Sequence, residues 1–109
     1  MNPELATVIE KAHECQQVCN MCFDACLKED DVKMLVDCIQ LDRECADICA
    51  MVATFASREG AVTTDLISLC ATICQACGKE CEKHTHMEHC QKCAEACFEC
   101  ARVCREYVA

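Results

Sequence analysis

Tryptophan is absent from this sequence, glycine occurs twice and proline once. An all-β sandwich needs a turn every ten residues or so, so the scarcity of Gly and Pro excludes that class. No apolar run approaches ~20 residues, which leaves no membrane span. Basic residues are also few, 10 against 19 acidic ones. The resulting net charge of −9 excludes nucleic acid as a partner, because phosphate binding needs a basic patch. Residues Met1 to Cys15 carry no basic n-region, no apolar h-region and no small-residue cleavage site. The expected location is therefore the cytoplasm, where thiols stay reduced. There is no Ser/His/Asp constellation and no Gly-rich phosphate loop. A catalytic thiolate needs an exposed electropositive setting, which an acidic chain does not offer, so no enzyme is expected.

What the chain has in excess is cysteine, 16 in 109 residues. In a short exported protein that would suggest a disulfide scaffold; in a reducing compartment it suggests metal ligands. Four segments carry helical period, which predicts an all-α protein. Asn2-Pro3 supplies an N-cap and a proline at the first position of a helix reaching about Lys28. After the polar break Lys28-Glu29-Asp30-Asp31, Asp30 is the expected N-cap of a second helix ending near Arg58, with Gly60 as its stop. Thr63 or Thr64 is expected to cap a third helix, with Asp65 in its first turn. Thr85-His86-Met87-Glu88 matches a capping box and opens a fourth helix reaching about Tyr107. Short connections make sequential helices antiparallel, giving one domain over residues 1–109, an up-down-up-down four-helix bundle with a cysteine-lined core.

The cysteines lie on these helices as Cys15, Cys19, Cys22, Cys26; Cys38, Cys45, Cys49; Cys70, Cys74, Cys77, Cys81; and Cys90, Cys93, Cys97, Cys100, Cys104. Steps of three and four alternate without a break in the first, third and fourth helices. That is the stripe which in an ordinary bundle holds Leu and Ile. The second helix skips a turn at Leu41/Asp42, while Met34, Leu41, Ile48 and Phe55 recur every seven residues and form an expected apolar seam. It is expected to carry less of the metal.

Residues four apart share a helix face, so the seven CxxxC pairs can each present two sulfurs to one small ion. Copper(I) is a soft ion that thiolates select. Charge favours it as well. Sixteen singly charged ions neutralise sixteen thiolates, whereas four zinc tetrathiolates leave half of that charge buried and uncompensated. A straight helical ladder is not expected to supply zinc with four tetrahedral ligands, and iron–sulfur clusters are usually held by loop cysteines. One or two buried cysteines read as small hydrophobes, but sixteen in ladders do not. Disulfides between neighbours on one helix would close only short loops and constrain the chain little.

The two ends of the bundle differ. His84, His86, Met87 and His89 gather at the third connection, and Met21, Cys26 and Met34 share that end, forming a soft-ligand mouth. Leu5, Val8, Val52, Phe55, Val62, Leu66, Val103 and Tyr107 gather at the other end as an apolar plug. His13 lies off the cysteine stripe and carries no assigned role.

The stretches CQQVCNMCFDAC, CIQLDRECADIC, CATICQACGKEC and CQKCAEACFECARVC resemble the four-helix-bundle copper storage proteins, in particular their cytosolic branch, over essentially the whole chain. The resemblance implies many Cu(I) ions bound by inward cysteines, assembly as homotetramers, and His or Met residues at one open end. Carried over by position, it makes all sixteen cysteines copper ligands and His84, Met87 and His89 candidates for the mouth. A copper chaperone or a client enzyme would be the exchange partner. A zinc or broad heavy-metal buffer and a redox-active dithiol protein are the competing readings.

Overall fold

The computed structural model describes residues 1–109 and contains four α-helices and one short 3₁₀ turn. The helices are α1 (Pro3–Leu27), α2 (Val36–Arg58), α3 (Thr63–Glu82) and α4 (Glu88–Val108), with the 3₁₀ turn at Val32–Leu35 between α1 and α2. A 25-residue helix is about 38 Å long at the usual rise per residue. That accounts for most of the 44 × 19 × 17 Å envelope. Each helix packs against two neighbours, in the ring α1–α2–α3–α4, and the diagonal backbones do not approach one another. The expected all-α four-helix bundle is what is found.

Asn2 caps α1 as expected, its Oδ1 accepting from the Leu5 N–H at 2.7 Å. The other helix starts depart from the capping signals. Asp30 caps nothing: Asp31 precedes the 3₁₀ turn, and α2 begins at Val36 with Leu35 at its N-cap. Leu35 is buried at this end, and burying that side chain places the start of α2 beyond the acidic run. Thr63 is the first residue of α3, not its cap; its hydroxyl is buried and has no hydrogen-bond partner. Thr64 is exposed beside it. The Thr85–Glu88 capping box does not form either. Met87 stands at the N-cap of α4 and packs against the core, which leaves Glu88 outside to pair with Lys92 at 3.0 Å. At the end of α2 the left-handed residue is Glu59 (φ 50°), one position before the glycine expected to stop the helix. Its N–H bonds to the Ala56 carbonyl, and the following Gly60 has no need of a positive φ.

The seam expected along α2 is also corrected. Of Met34, Leu41, Ile48 and Phe55, only Ile48 is buried; Met34 is 50% exposed and lies in the 3₁₀ turn. The inner stripe of α2 runs Cys38, Asp42, Cys45, Cys49, all four fully buried. That is the same three–four alternation found on the other helices, with a carboxylate standing where a thiol is missing. The apolar plug is real but differently composed. Leu5, Val8, Val52 and Val103 are buried and are joined by Ala12, Ala56 and Ile67; Phe55, Leu66 and Tyr107 are half-buried, and Val62 is exposed.

Candidate metal centre

Every one of the sixteen cysteines is free, and none is more than 1% exposed. Their stripes face the bundle axis because alternating steps of three and four keep a residue on one side of a helix. The sulfurs therefore fill the space between helices whose diagonal backbones do not meet. The shortest separations run between helices and not along them: Cys38–Cys81 and Cys45–Cys74 at 3.5 Å, Cys19–Cys97 at 3.6 Å. Within single helices, Cys70–Cys74 lie 3.7 Å apart, Cys22–Cys26 3.8 Å, and Cys15–Cys19 and Cys93–Cys97 3.9 Å. The expected CxxxC pairs are thus one part of a denser three-dimensional network.

Groups of four sulfurs within 4.8 Å of one another recur along the axis: Cys15/Cys49/Cys74/Cys100, Cys15/Cys19/Cys45/Cys97 and Cys19/Cys77/Cys93/Cys97. This overturns the expectation that a helical ladder cannot gather four ligands. A tetrahedral ion with sulfur at ~2.3 Å needs sulfurs about 3.8 Å apart, which falls inside the observed spacings. Sulfur spacing alone therefore does not exclude zinc. Shared membership does more. Cys15, Cys19 and Cys97 each belong to two of these groups, so separate mononuclear tetrathiolates cannot fill them all. A column of shared sulfurs suits bridging thiolates and several small singly charged ions.

Asp42 is the residue that the cysteine pattern concealed. Its Oδ1 accepts from Cys77 and Cys93 at 3.3 Å and from Cys81 at 3.5 Å, and its Oδ2 from Cys38 at 3.8 Å. Burial, followed by the charge that Cys93, Cys77 and Cys38 carry when ionised, pushes its carboxyl up to about 11. With Cys22, Cys38 and Cys81 it forms a mixed oxygen–sulfur group between the inner column and the mouth. The continued spacing 38, 42, 45, 49 was the signal in the sequence.

At the mouth Cys22, Cys26, Cys90 and His89 form one more group. His89 Nδ1 lies 3.5 Å from Cys22 Sγ, 3.5 Å from Cys90 Sγ and 3.9 Å from Cys26 Sγ. Burial raises the Cys26 thiol and pushes Cys90 up to about 12. Deeper in the column, Cys97 is raised well above the thiol range by its hydrogen bonds to Cys15, Cys19 and Cys45 and by burial. Without metal Cys26, Cys90 and Cys97 favour the neutral thiol, and a thiophilic ion must displace their protons.

The other mouth candidates separate. His84 is buried, but its Nε2 is taken by Glu80 Oε2 at 3.0 Å. Met87 is half-buried against the core, and His86 is exposed. Met21 is exposed beside a cleft of ≈ 360 Å³ that it lines with Val18, Cys22, Glu88, His89 and Lys92. Of the three histidines gathered at this end, His89 is the one hydrogen-bonded to thiols.

Residues 1–109 match the family model described as copper storage protein. The cysteine-rich protein YhjQ of Bacillus subtilis is 48% identical over 101 residues, covering 93% of each chain. Among solved structures, the Cu(I)-bound copper storage protein BsCsp3 is 45% identical, with a TM-score of 0.93 over 97% of this chain and 99% of that one. A cytosolic copper storage protein from Streptomyces lividans, solved with five coppers, is 44% identical, with a TM-score of 0.93 over 96% of this chain and 92% of that one.

Proposed function

Since the chain belongs to the copper storage protein family, we propose that it stores and sequesters Cu(I), with the thiolates of all sixteen cysteines as its ligands. Copper is the cargo here, bound many ions at a time. The observation that carries the reading is the continuous column of sixteen free, buried sulfurs in which single cysteines are shared between neighbouring groups. Such a column has no single best-formed site, as a catalytic or regulatory centre would. It has capacity instead. The relative from Streptomyces lividans is a cytosolic storage protein, and the cytoplasm is where this chain would keep its thiols reduced. The family role is storage.

Copper enters at the end bearing His89, where Cys22, Cys26 and Cys90 are the first thiols met, and passes Asp42 to the inner column. Met87 supports the start of α4, and His84 is a buried structural residue of the same end. The opposite end is sealed by the buried side chains of Leu5, Val8, Val52 and Ile67, which cannot exchange ligands with an ion. A homotetramer is the assembly implied by the family resemblance, and Leu69, Met51 and Val36, all exposed, offer apolar surface for it. A copper chaperone or a client enzyme would meet the mouth.

Anaerobic competition between Cu(I) and Zn(II), with thiols counted before and after, tests the reading. Cu(I) should saturate between one ion per cysteine pair and one per cysteine and should displace zinc. Saturation at one or two ions, or retention of zinc against Cu(I), would remove storage as the function.

A further inference from the structure

Two histidines at the mouth are each held by a carboxylate through Nε2, yet only one turns its other nitrogen toward sulfur. His84 pairs with Glu80 one helical turn earlier, at 3.0 Å. His89 pairs with Glu29 Oε2 at 3.2 Å, and Glu29 stands sixty residues away in sequence. Glu29 is fixed by the turn that ends α1, where its N–H donates to the Cys26 carbonyl at 3.2 Å and the Lys28 N–H donates to Ala25 at 3.1 Å. The same turn thus sets both the Cys26 thiol and the carboxylate facing His89. On the opposite edge of the imidazole, Nδ1 lies 3.5 Å from Cys22 Sγ and 3.5 Å from Cys90 Sγ.

The chemistry of this arrangement is directional. An ionised carboxylate only accepts, so beside Glu29 the proton of a neutral imidazole belongs on Nε2. Nδ1 then keeps its lone pair, the form in which imidazole binds a metal. A carboxylate behind a ligating histidine also fixes the ring's rotation, and loss of such a partner commonly costs ~10–100-fold in metal affinity. The Glu80–His84 pair contains the same chemistry without sulfurs on its far side, so it has no metal to tune.

We propose that Glu29 is a positioning residue for the first copper bound at the mouth, holding His89 across the end of the bundle so that Nδ1 completes the Cys22/Cys26/Cys90 group. The proposal rests on the storage reading given above. It makes the α1–α2 turn, which contains no Cys, His or Met after Cys26 until Met34, a working part of the copper site. It also explains how a half-buried ring keeps one orientation at an open end.

A double-mutant cycle on the whole reduced chain tests it, with the affinity for the first Cu(I) equivalent read against a competing chelator. Glu29→Ala should weaken that affinity about tenfold or more, and Glu29→Gln, whose amide oxygen can still accept from Nε2–H, should restore most of it. In a His89→Ala background, Glu29→Ala should have no further effect. Glu80→Ala should leave both the first affinity and the total capacity unchanged. Far-UV circular dichroism of each variant establishes that it is folded. An unchanged first affinity in Glu29→Ala, or an equal loss with and without His89, would overturn the assignment. If the wild-type chain bound only one or two ions, the storage reading would fall, while the coupling between Glu29 and His89 for that first ion would still decide this proposal.

Discussion

The Asp42 carboxyl accepts a hydrogen bond through Oδ1 from the Cys93 thiol at 3.3 Å, deep between four helices and in no ion pair. An acid so placed favours its protonated form. Its carboxyl lies at about 11 in the fold against an ordinary value of 3.8. Between those values the folded chain holds a proton that the unfolded chain has released. The stability linked to Asp42 is therefore complete below 3.8 and is lost as pH rises toward 11. The metal-free wild-type protein should unfold at lower urea concentration at about pH 8 than at about pH 5. Asp42→Asn should flatten that difference and raise stability at the higher pH by about 1 kcal/mol or more. A variant with the wild-type pH slope would show that Asp42 is ionised in the fold.

Stability of the metal-free bundle should come chiefly from its apolar end. Leu5, Val8, Val52 and Ile67 are buried there, with exposures from 0 to 2%. Leu5→Ala should cost about 2–5 kcal/mol, as cavity-forming substitutions in cores do. It removes no sulfur, so the number of Cu(I) ions bound at saturation should be unchanged. Urea unfolding of the metal-free form and anaerobic copper titration of the same variant measure the two effects separately. A parallel loss of copper capacity would show that the plug shapes the thiol column as well as sealing it.

Gly78 of α3 packs directly against the Phe98 ring of α4. A Cβ at this position would lie 2.8 Å from Cε1 of the half-buried Phe98 ring. Alanine would gain about 1 kcal/mol of helix propensity, while overpacking costs typically about 1–3 kcal/mol. The clash should win, and Gly78→Ala should lower stability by about 1 kcal/mol. With Phe98→Leu already present, the same change should instead be neutral or stabilising. Thermal unfolding of the two single variants and the double variant gives the interaction energy, and strict additivity would refute the contact.

Much of this architecture was legible because cysteine marks the inward stripe of each helix without ambiguity. The ladders on α1, α3 and α4 located three buried faces outright. What escaped was local. Thr63 and the Thr85–Glu88 box carry good capping chemistry, yet burial of Thr63 and Met87 set the helix starts instead. Asp42 is hidden by its residue type, because a carboxyl is costly to bury alone. Only the assembled bundle, with four thiols around a carboxyl that is held protonated, makes the position tolerable. Likewise His84 and His89 are indistinguishable by sequence position. Their roles diverge because the carboxylate that holds His89 comes from another element, leaving its Nδ1 for sulfur.

That divergence yields the last prediction. Copper(I) arriving on a donor must exchange ligands stepwise, since an ion stripped of all ligands between donor and acceptor would pay its full desolvation cost. At the His89 end the imidazole Nδ1 and the Cys22 and Cys90 sulfurs lie within one ligand exchange of one another. His84 offers no such step, because its ring is buried against Glu80. His89→Ala should therefore slow both loading from and removal by a chelator, leaving total capacity nearly unchanged. His84→Ala should lower stability of the metal-free chain and leave the rates alone, and the His84, Met87 and His89 triple alanine variant should load no more slowly than His89→Ala. Stopped-flow transfer from a Cu(I) chelator, followed at several donor concentrations, separates these cases. Equal rates for the wild type and His89→Ala would place the way in elsewhere, and slowing by His84→Ala of the same size would return the mouth to an undifferentiated cluster.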